Sequence, residues 1–208
     1  MFIGISGIIG AGKTTLTTTI AERLGYNVYY EPVKENEYLT DFYEDPKRWG
    51  AMMQLYLLTK RFEQHQQIVW NGSQGAIQDR TIYEDTIFAE MLYHDNLITQ
   101  RDYDTYISHY NIMKRYLVYP DAIIYLDVKP EVALERIKSR GRIMEKEIPL
   151  DYLKNLYEGY EKFLKDMEQW TTILRVDYNK FKDADYFVDL IKSSVPDKTR
   201  FFRSIRKI

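Results

Sequence analysis

Residues 2–24 most narrowly limit what this chain can fold into. Phe2–Ser6 (FIGIS) has the apolar, small-residue character of a buried strand. Gly7-Ile-Ile-Gly-Ala-Gly-Lys13-Thr14 follows at once and fits G-x-x-x-x-G-K-[ST] in full. Residues 14–24 then take up a helical pattern. A strand that turns through a glycine loop into a helix opens a parallel α/β sheet. Gly7, Gly10, Ala11 and Gly12 form a loop whose backbone N–H groups can turn inward onto phosphate oxygens. The start of the helix, with Thr15, adds a partial positive charge at the same place. Lys13 can bridge β- and γ-phosphates, and Thr14 offers a hydroxyl to Mg²⁺. Such a loop predicts a nucleotide site but not a reaction, because switches, ATPases and small-molecule kinases all use it.

The rest of the chain keeps the same alternation. Further strands are expected at 27–30, 75–78, 122–127 and 172–176, and helices at 46–70, 82–93, 99–116, 131–139, 150–167 and 184–193. The expected architecture is one P-loop domain over 1–208, a five-stranded parallel sheet flanked by helices. A polar segment at about 139–149 and a basic tail at about 195–208 are read as its mobile parts. In the long helix the apolar stripe is assigned to Ala51, Leu55, Leu58, Phe62 and Val69. With 45% hydrophobic residues, 208 residues suffice for one sizeable core. Cysteine is absent, which excludes disulfides and thiolate chemistry and fits the cytoplasm. No apolar run is long enough to span a bilayer, and no basic segment precedes the first strand as a signal peptide would require. A net charge of −2 does not suggest a nucleic-acid partner. The nineteen tyrosines are read chiefly as amphipathic packing.

Several side chains sit where chemistry would need them. Glu31 closes the second strand, at the sheet edge where ligands of α/β folds bind, and a carboxylate there can orient and deprotonate a hydroxyl. Asp79 closes the third strand, placed to hold Mg²⁺ directly or through water, with Arg80 beside it. The plainer reading of each is a strand-end turn or salt bridge. Gln54 and Arg61 are seven apart on one helix face; alone, they would more often face solvent. Arg136, Arg140 and Arg142 could neutralise a phosphoryl group in transfer, or could simply favour a helix C-terminus. His65, His94 and His109 lack metal-ligand spacing and are read as surface or packing residues.

Taken in order, these motifs resemble the deoxyribonucleoside kinase family, which includes deoxycytidine, deoxyguanosine and deoxyadenosine kinases. The resemblance runs from Phe2 to about Phe181. It rests on the glycine loop, Glu31-Pro32-Val33, Phe42-Tyr43-x-x-Pro46-x-x-Trp49 and Gln54 with Arg61. Asp79-Arg80-Thr81, Glu84-Asp85 and an arginine-rich Arg136–Arg142 with Glu145 complete it. It implies transfer of the γ-phosphate of ATP to the 5′-hydroxyl of a deoxynucleoside, with Mg²⁺ at Thr14 and Asp79. It makes Glu31 the base, with Arg80, Lys13, Arg140 and Arg142 as catalytic partners and Arg136 and Arg140 on the donor. It puts Gln54, Arg61 and Asp85 at the acceptor's base, Tyr43 and Glu145 at the 3′-hydroxyl, and a homodimer at the helices after Asp79. The Glu84-Asp85-x-x-Phe88 spacing is more similar to bacterial deoxyadenosine kinases, so deoxyadenosine is the expected acceptor, with deoxyguanosine or deoxycytidine as alternatives. A thymidylate-kinase-like monophosphate kinase is a more distant alternative, since it would carry arginine where this chain has Tyr30. So is a catalytically silent subunit, which would have lost the phosphate and acid groups kept here.

Overall fold

A computed structural model describes residues 1–33, 36–71, 75–142 and 148–195. Its strands are β1 (Phe2–Ser6), β2 (Asn27–Tyr29), β3 (Ala76–Asp79), β4 (Ala122–Asp127) and β5 (Thr172–Asp177). They form one sheet in the order β2-β3-β1-β4-β5, and every pairing is parallel. The expected five-stranded parallel sheet flanked by helices is therefore the one observed. β1 lies at the centre, with Ile5 level with Asp79 on one side and with Ile124 on the other. Its five residues are all buried, which explains why it reads as an unbroken apolar run instead of an alternation. All the carboxyl ends point the same way, so the glycine loop, Asp79 and Asp127 emerge on one rim.

Eight helices surround the sheet among the described residues: α1 (Lys13–Leu24), α2 (Leu39–Glu44), α3 (Pro46–Trp70), α4 (Asp85–His94), α5 (Gln100–Lys114), α6 (Pro130–Arg140), α7 (Leu150–Met167) and α8 (Ala184–Ser194). α3 has the predicted limits. Its start is fixed by Pro46 in the first turn and by Asp45, whose side chain accepts from the Arg48 N–H. The single helix expected over 82–93 is divided into a 3-10 turn (Ile82–Glu84) and α4. A capping box between Thr81 and Glu84 marks the start of the 3-10 turn.

The face of α3 differs from the assigned stripe. The buried residues are Gly50, Met53, Gln54, Leu58, Arg61, His65 and Ile68, whereas Val69 is exposed and Ala51, Leu55 and Phe62 are only partly covered. The reason is chemical. α3 turns a polar face inward to build a site, so ranking its residues by hydrophobicity gives the wrong phase. His65 is a packing residue: its Nε2 accepts from the Val118 N–H at 3.0 Å and its ring meets Phe2 edge-on, while His94 and His109 are exposed. No helix among the described residues is long and apolar enough to cross a membrane.

Candidate active site at the carboxyl rim of the sheet

The glycine loop takes the shape its composition predicts. Gly10 and Gly12 have φ of 84° and 95°, where a side chain would be strained. A Cβ on Gly10 would also lie 2.6 Å from the Ala133 carbonyl oxygen of α6, so that helix closes directly on the loop. Lys13 is buried, and its Nζ donates to the Gly7 and Ile8 carbonyls at 3.0 Å each. Burial first, then the nearby Arg80, lowers its pKa to about 8 against the pull of Asp79, Glu31 and Glu84. Thr14, exposed at the start of α1, donates its hydroxyl to Asp79 Oδ2.

Asp79 has one further buried oxygen, Oδ1, with no protein partner. Burial raises its pKa, and the Lys13 charge opposes that. A buried carboxylate next to a threonine hydroxyl is a set of hard oxygen donors, the kind that suits Mg²⁺ and a bound phosphate. The two predicted metal ligands are therefore adjacent, and one of them has an unused oxygen.

Behind this pair lies a dense cluster of charges. Glu31 takes the Arg61 guanidinium on Oε1 at 2.8 Å and the Arg80 Nε on Oε2 at 3.2 Å. Burial alone would raise the Glu31 pKa, but Arg80, Arg61 and Lys13 together bring it down to about 2. Arg61 also holds Asp85, whose pKa burial pushes up to about 7. Arg80 adopts a left-handed backbone, φ 65°, uncommon for a residue with a side chain. That turn aims its guanidinium back over the rim, onto Glu84 at 3.2 Å, the Tyr160 hydroxyl and the face of Phe88 at 4.8 Å.

The structure thus brings Lys13, Thr14, Glu31, Arg61, Asp79, Arg80 and Asp85 into one network. Gln54 is buried on α3, two turns before Arg61 and on the same face. Tyr43 is partly exposed on α2, its ring against Phe42. Arg136 spans the donor side: it donates to the Ala11, Tyr178 and Asn179 carbonyls and stacks 4.2 Å from the centre of Phe181. Arg140 and Arg142 lie exposed at the end of α6, while Glu145 and most of the predicted basic tail fall outside the described residues. Glu84 was not singled out from the sequence as a site residue. It accepts from Ser6, the Thr81 N–H, Arg80 and Tyr160, and the T-x-x-E capping pattern was the available signal. Tyr160 is one of the nineteen tyrosines read chiefly as packing, and no pattern distinguishes its hydroxyl.

Comparison with known proteins gives a consistent result. The sequence profile of the deoxynucleoside kinases matches residues 3–198. A deoxyadenosine kinase of Dictyostelium discoideum is 45% identical over 203 residues, covering 98% of this chain and 82% of that protein. A deoxyadenosine/deoxycytidine kinase of Bacillus subtilis is 37% identical over 206 residues, covering 95% and 94%. Among solved structures, deoxyadenosine kinase from M. mycoides with the products dCMP and a flexible dCDP aligns at TM-score 0.81 and 38% identity, covering 93% of this chain and 97% of that one. The same enzyme with bound dATP aligns at 0.80.

Proposed function

The chain belongs to the deoxynucleoside kinase family, and from that membership we propose that its preferred acceptor is deoxyadenosine and that Glu31 receives the proton of the attacking hydroxyl. The general activity is ATP-dependent phosphorylation of a deoxynucleoside at its 5′-hydroxyl. The 5′-oxygen forms a bond to the γ-phosphorus, the bond to the bridging oxygen breaks, ADP leaves, and the hydroxyl proton passes to Glu31. The observation that carries the assignment is the clamp on Glu31. Two guanidinium groups hold its carboxylate at the rim, within electrostatic reach of Lys13. A carboxylate with a pKa near 2 is a poor base toward a resting hydroxyl. It is an effective acceptor once the new bond to phosphorus has made that hydroxyl acidic, so proton transfer is late. Arg80, bound to Glu31, would meet the charge that moves from nucleophile to phosphoryl group, and Arg140 and Arg142, exposed at the end of α6, would join it.

Mg²⁺ would be held by Thr14 and Asp79, supplying charge neutralisation between the β- and γ-phosphates. Gln54 and the Arg61–Asp85 pair would read the base, with an amide able to meet the N6/N7 edge of adenine. Tyr43 would meet the 3′-hydroxyl together with Glu145. Tyr30 supports a neutral acceptor over a monophosphate, because it brings no charge and its hydroxyl is 3.0 Å from that of Thr18. A homodimer is proposed through the helices that follow Asp79, where Ile112 and Tyr116 are exposed at the end of α5 and just beyond it. The cytoplasm is the proposed compartment, in keeping with the absence of cysteine. The test is a competition assay with ATP and equal, sub-saturating amounts of the four deoxynucleosides. Deoxyadenosine should be consumed fastest; preference for thymidine would overturn the pocket assignment.

A further inference from the structure

Arg80 is held from inside the fold as well as from the rim. Its Nη1 donates to Glu84 Oε2 at 3.2 Å and to the Tyr160 hydroxyl, and that hydroxyl donates in turn to the same Glu84 oxygen. The other oxygen, Oε1, accepts from the Thr81 N–H at 2.9 Å and from the Ser6 hydroxyl at 2.7 Å. Ser6 ends β1 and Gly7 follows it directly, so Glu84 ties Arg80 to the root of the glycine loop. Glu84 and Tyr160 are both 0% exposed, so neither is placed to touch a substrate. The guanidinium thus runs between two acids in different settings. Nε meets Glu31, whose side chain is 25% exposed at the rim, and Nη1 meets the sealed Glu84. Among the described residues Nη2 has no hydrogen-bond partner. An arginine that only neutralised Glu84 would not need the left-handed backbone that turns this one back over the end of the sheet. A planar fork fixed through two of its nitrogens, with the third kept over, is preorganised for an anion.

We propose that Glu84 and Tyr160 are positioning residues for the transfer step: they fix Nη1 so that the Arg80 guanidinium stays registered to the glycine loop and Nη2 is left for the moving phosphoryl group. This rests on the reading of Arg80 as the group that meets the charge on that phosphoryl group. Tyr160 is the more telling of the two. Removing its hydroxyl takes one bond from Nη1 and one from Glu84, while the ring keeps its packing against Phe163 and Tyr125. The loosened guanidinium still pairs with Glu31, so substrate binding changes little. The charge that develops during transfer is then met less well.

The experiment is a double-mutant cycle read in kcat and in the KM values for deoxyadenosine and ATP. It compares the parent with Tyr160→Phe, Arg80→Lys, the two combined, and Tyr125→Phe. Tyr125 on β4 is the control: its ring lies 5.6 Å from that of Tyr160, and its buried hydroxyl has no partner among the described residues. Tyr160→Phe should lower kcat roughly tenfold, the effect of one buried hydrogen bond to a charged group, with both KM values within about twofold. Arg80→Lys should lower kcat by roughly a hundredfold. Adding Tyr160→Phe to it should cost less than about twofold more, because the group it serves is gone. Tyr125→Phe should match the parent. The cycle is repeated with Glu84→Gln, which should lower kcat at least as much as Tyr160→Phe and likewise lose its effect beside Arg80→Lys. Parental kcat in Tyr160→Phe, or a loss confined to KM, overturns the proposal. So does an undiminished loss on the Arg80→Lys background, which would mean that Tyr160 acts by packing. If Arg80→Lys itself turns over like the parent, the reading of Arg80 falls and takes this inference with it.

Discussion

Glu31 is the residue on which the proposed chemistry turns, and its neighbours set how it would work. Its pKa of about 2 comes from Arg80 and Arg61 overcoming burial. Replacing Glu31 by Gln preserves the shape and removes both the charge and the proton acceptor. We expect kcat to fall by roughly 10²–10⁴-fold while deoxynucleoside binding persists, as seen in steady-state turnover beside equilibrium binding. Turnover within a few-fold of the parent would move the base role to Asp79. Most of this candidate site was legible from residue types at strand ends: Asp79 closes β3, Arg80 follows it, Glu31 lies two residues past β2, and ligands of open parallel sheets gather there. What could not be read was the second layer. Glu84, Tyr160 and Ser6 are joined by hydrogen bonds between residues as far as 78 positions apart, and no local spacing encodes such a meeting.

At the scale of elements, α3 and α6 do the placing. α3 grips the Glu31 segment twice, through Arg61 on the carboxylate and through Gln64, whose amide donates to the Tyr30 carbonyl at 2.8 Å. Gln64 in turn accepts from Gln78 on β3 at 3.2 Å, so helix, strand and the Glu31 segment are locked together. The limits of α3 were readable because proline and a capping aspartate mark its start. Its face was not, because a helix whose buried side holds Gln54, Arg61 and His65 contradicts the apolar pattern that reveals ordinary helices. α6 has the complementary task of closing over the glycine loop. Gly10→Ala places a methyl group against the Ala133 carbonyl in an unfavourable backbone region. We expect a loss of at least about 2 kcal/mol of stability, or a displaced loop that no longer binds ATP. Chemical denaturation and ATP titration would distinguish the two; a variant matching the parent in both would show that α6 yields freely.

For the whole molecule, acid stability is a balance of buried groups. Burial lowers the His65 pKa from 6.5 to about 4, so the unfolded chain binds the extra proton between those values. The stability that neutral His65 contributes is complete above about pH 6.5 and is lost as pH falls toward 4. Asp85, raised to about 7, acts in the opposite sense over much of that range, so the parent's own pH curve conceals both. The difference between the parent and His65→Gln cancels the Asp85 contribution. It should shrink by about 3 kcal/mol between pH 7 and pH 4, measured by urea unfolding at each pH. A constant difference would mean that His65 titrates alike in both states. The strand order has a further consequence, for synthesis of the chain. β1 is made before the other strands yet ends at the centre of the sheet, with β3 on one side and β4 on the other. At ribosomal speed β4 follows it on the order of ten seconds later. Throughout that interval the nascent protein carries an apolar segment without its second neighbour, and a glycine loop without the helix that closes on it. Capture by chaperones during translation, more than the final stability of the enzyme, would then govern how much of it a cell obtains.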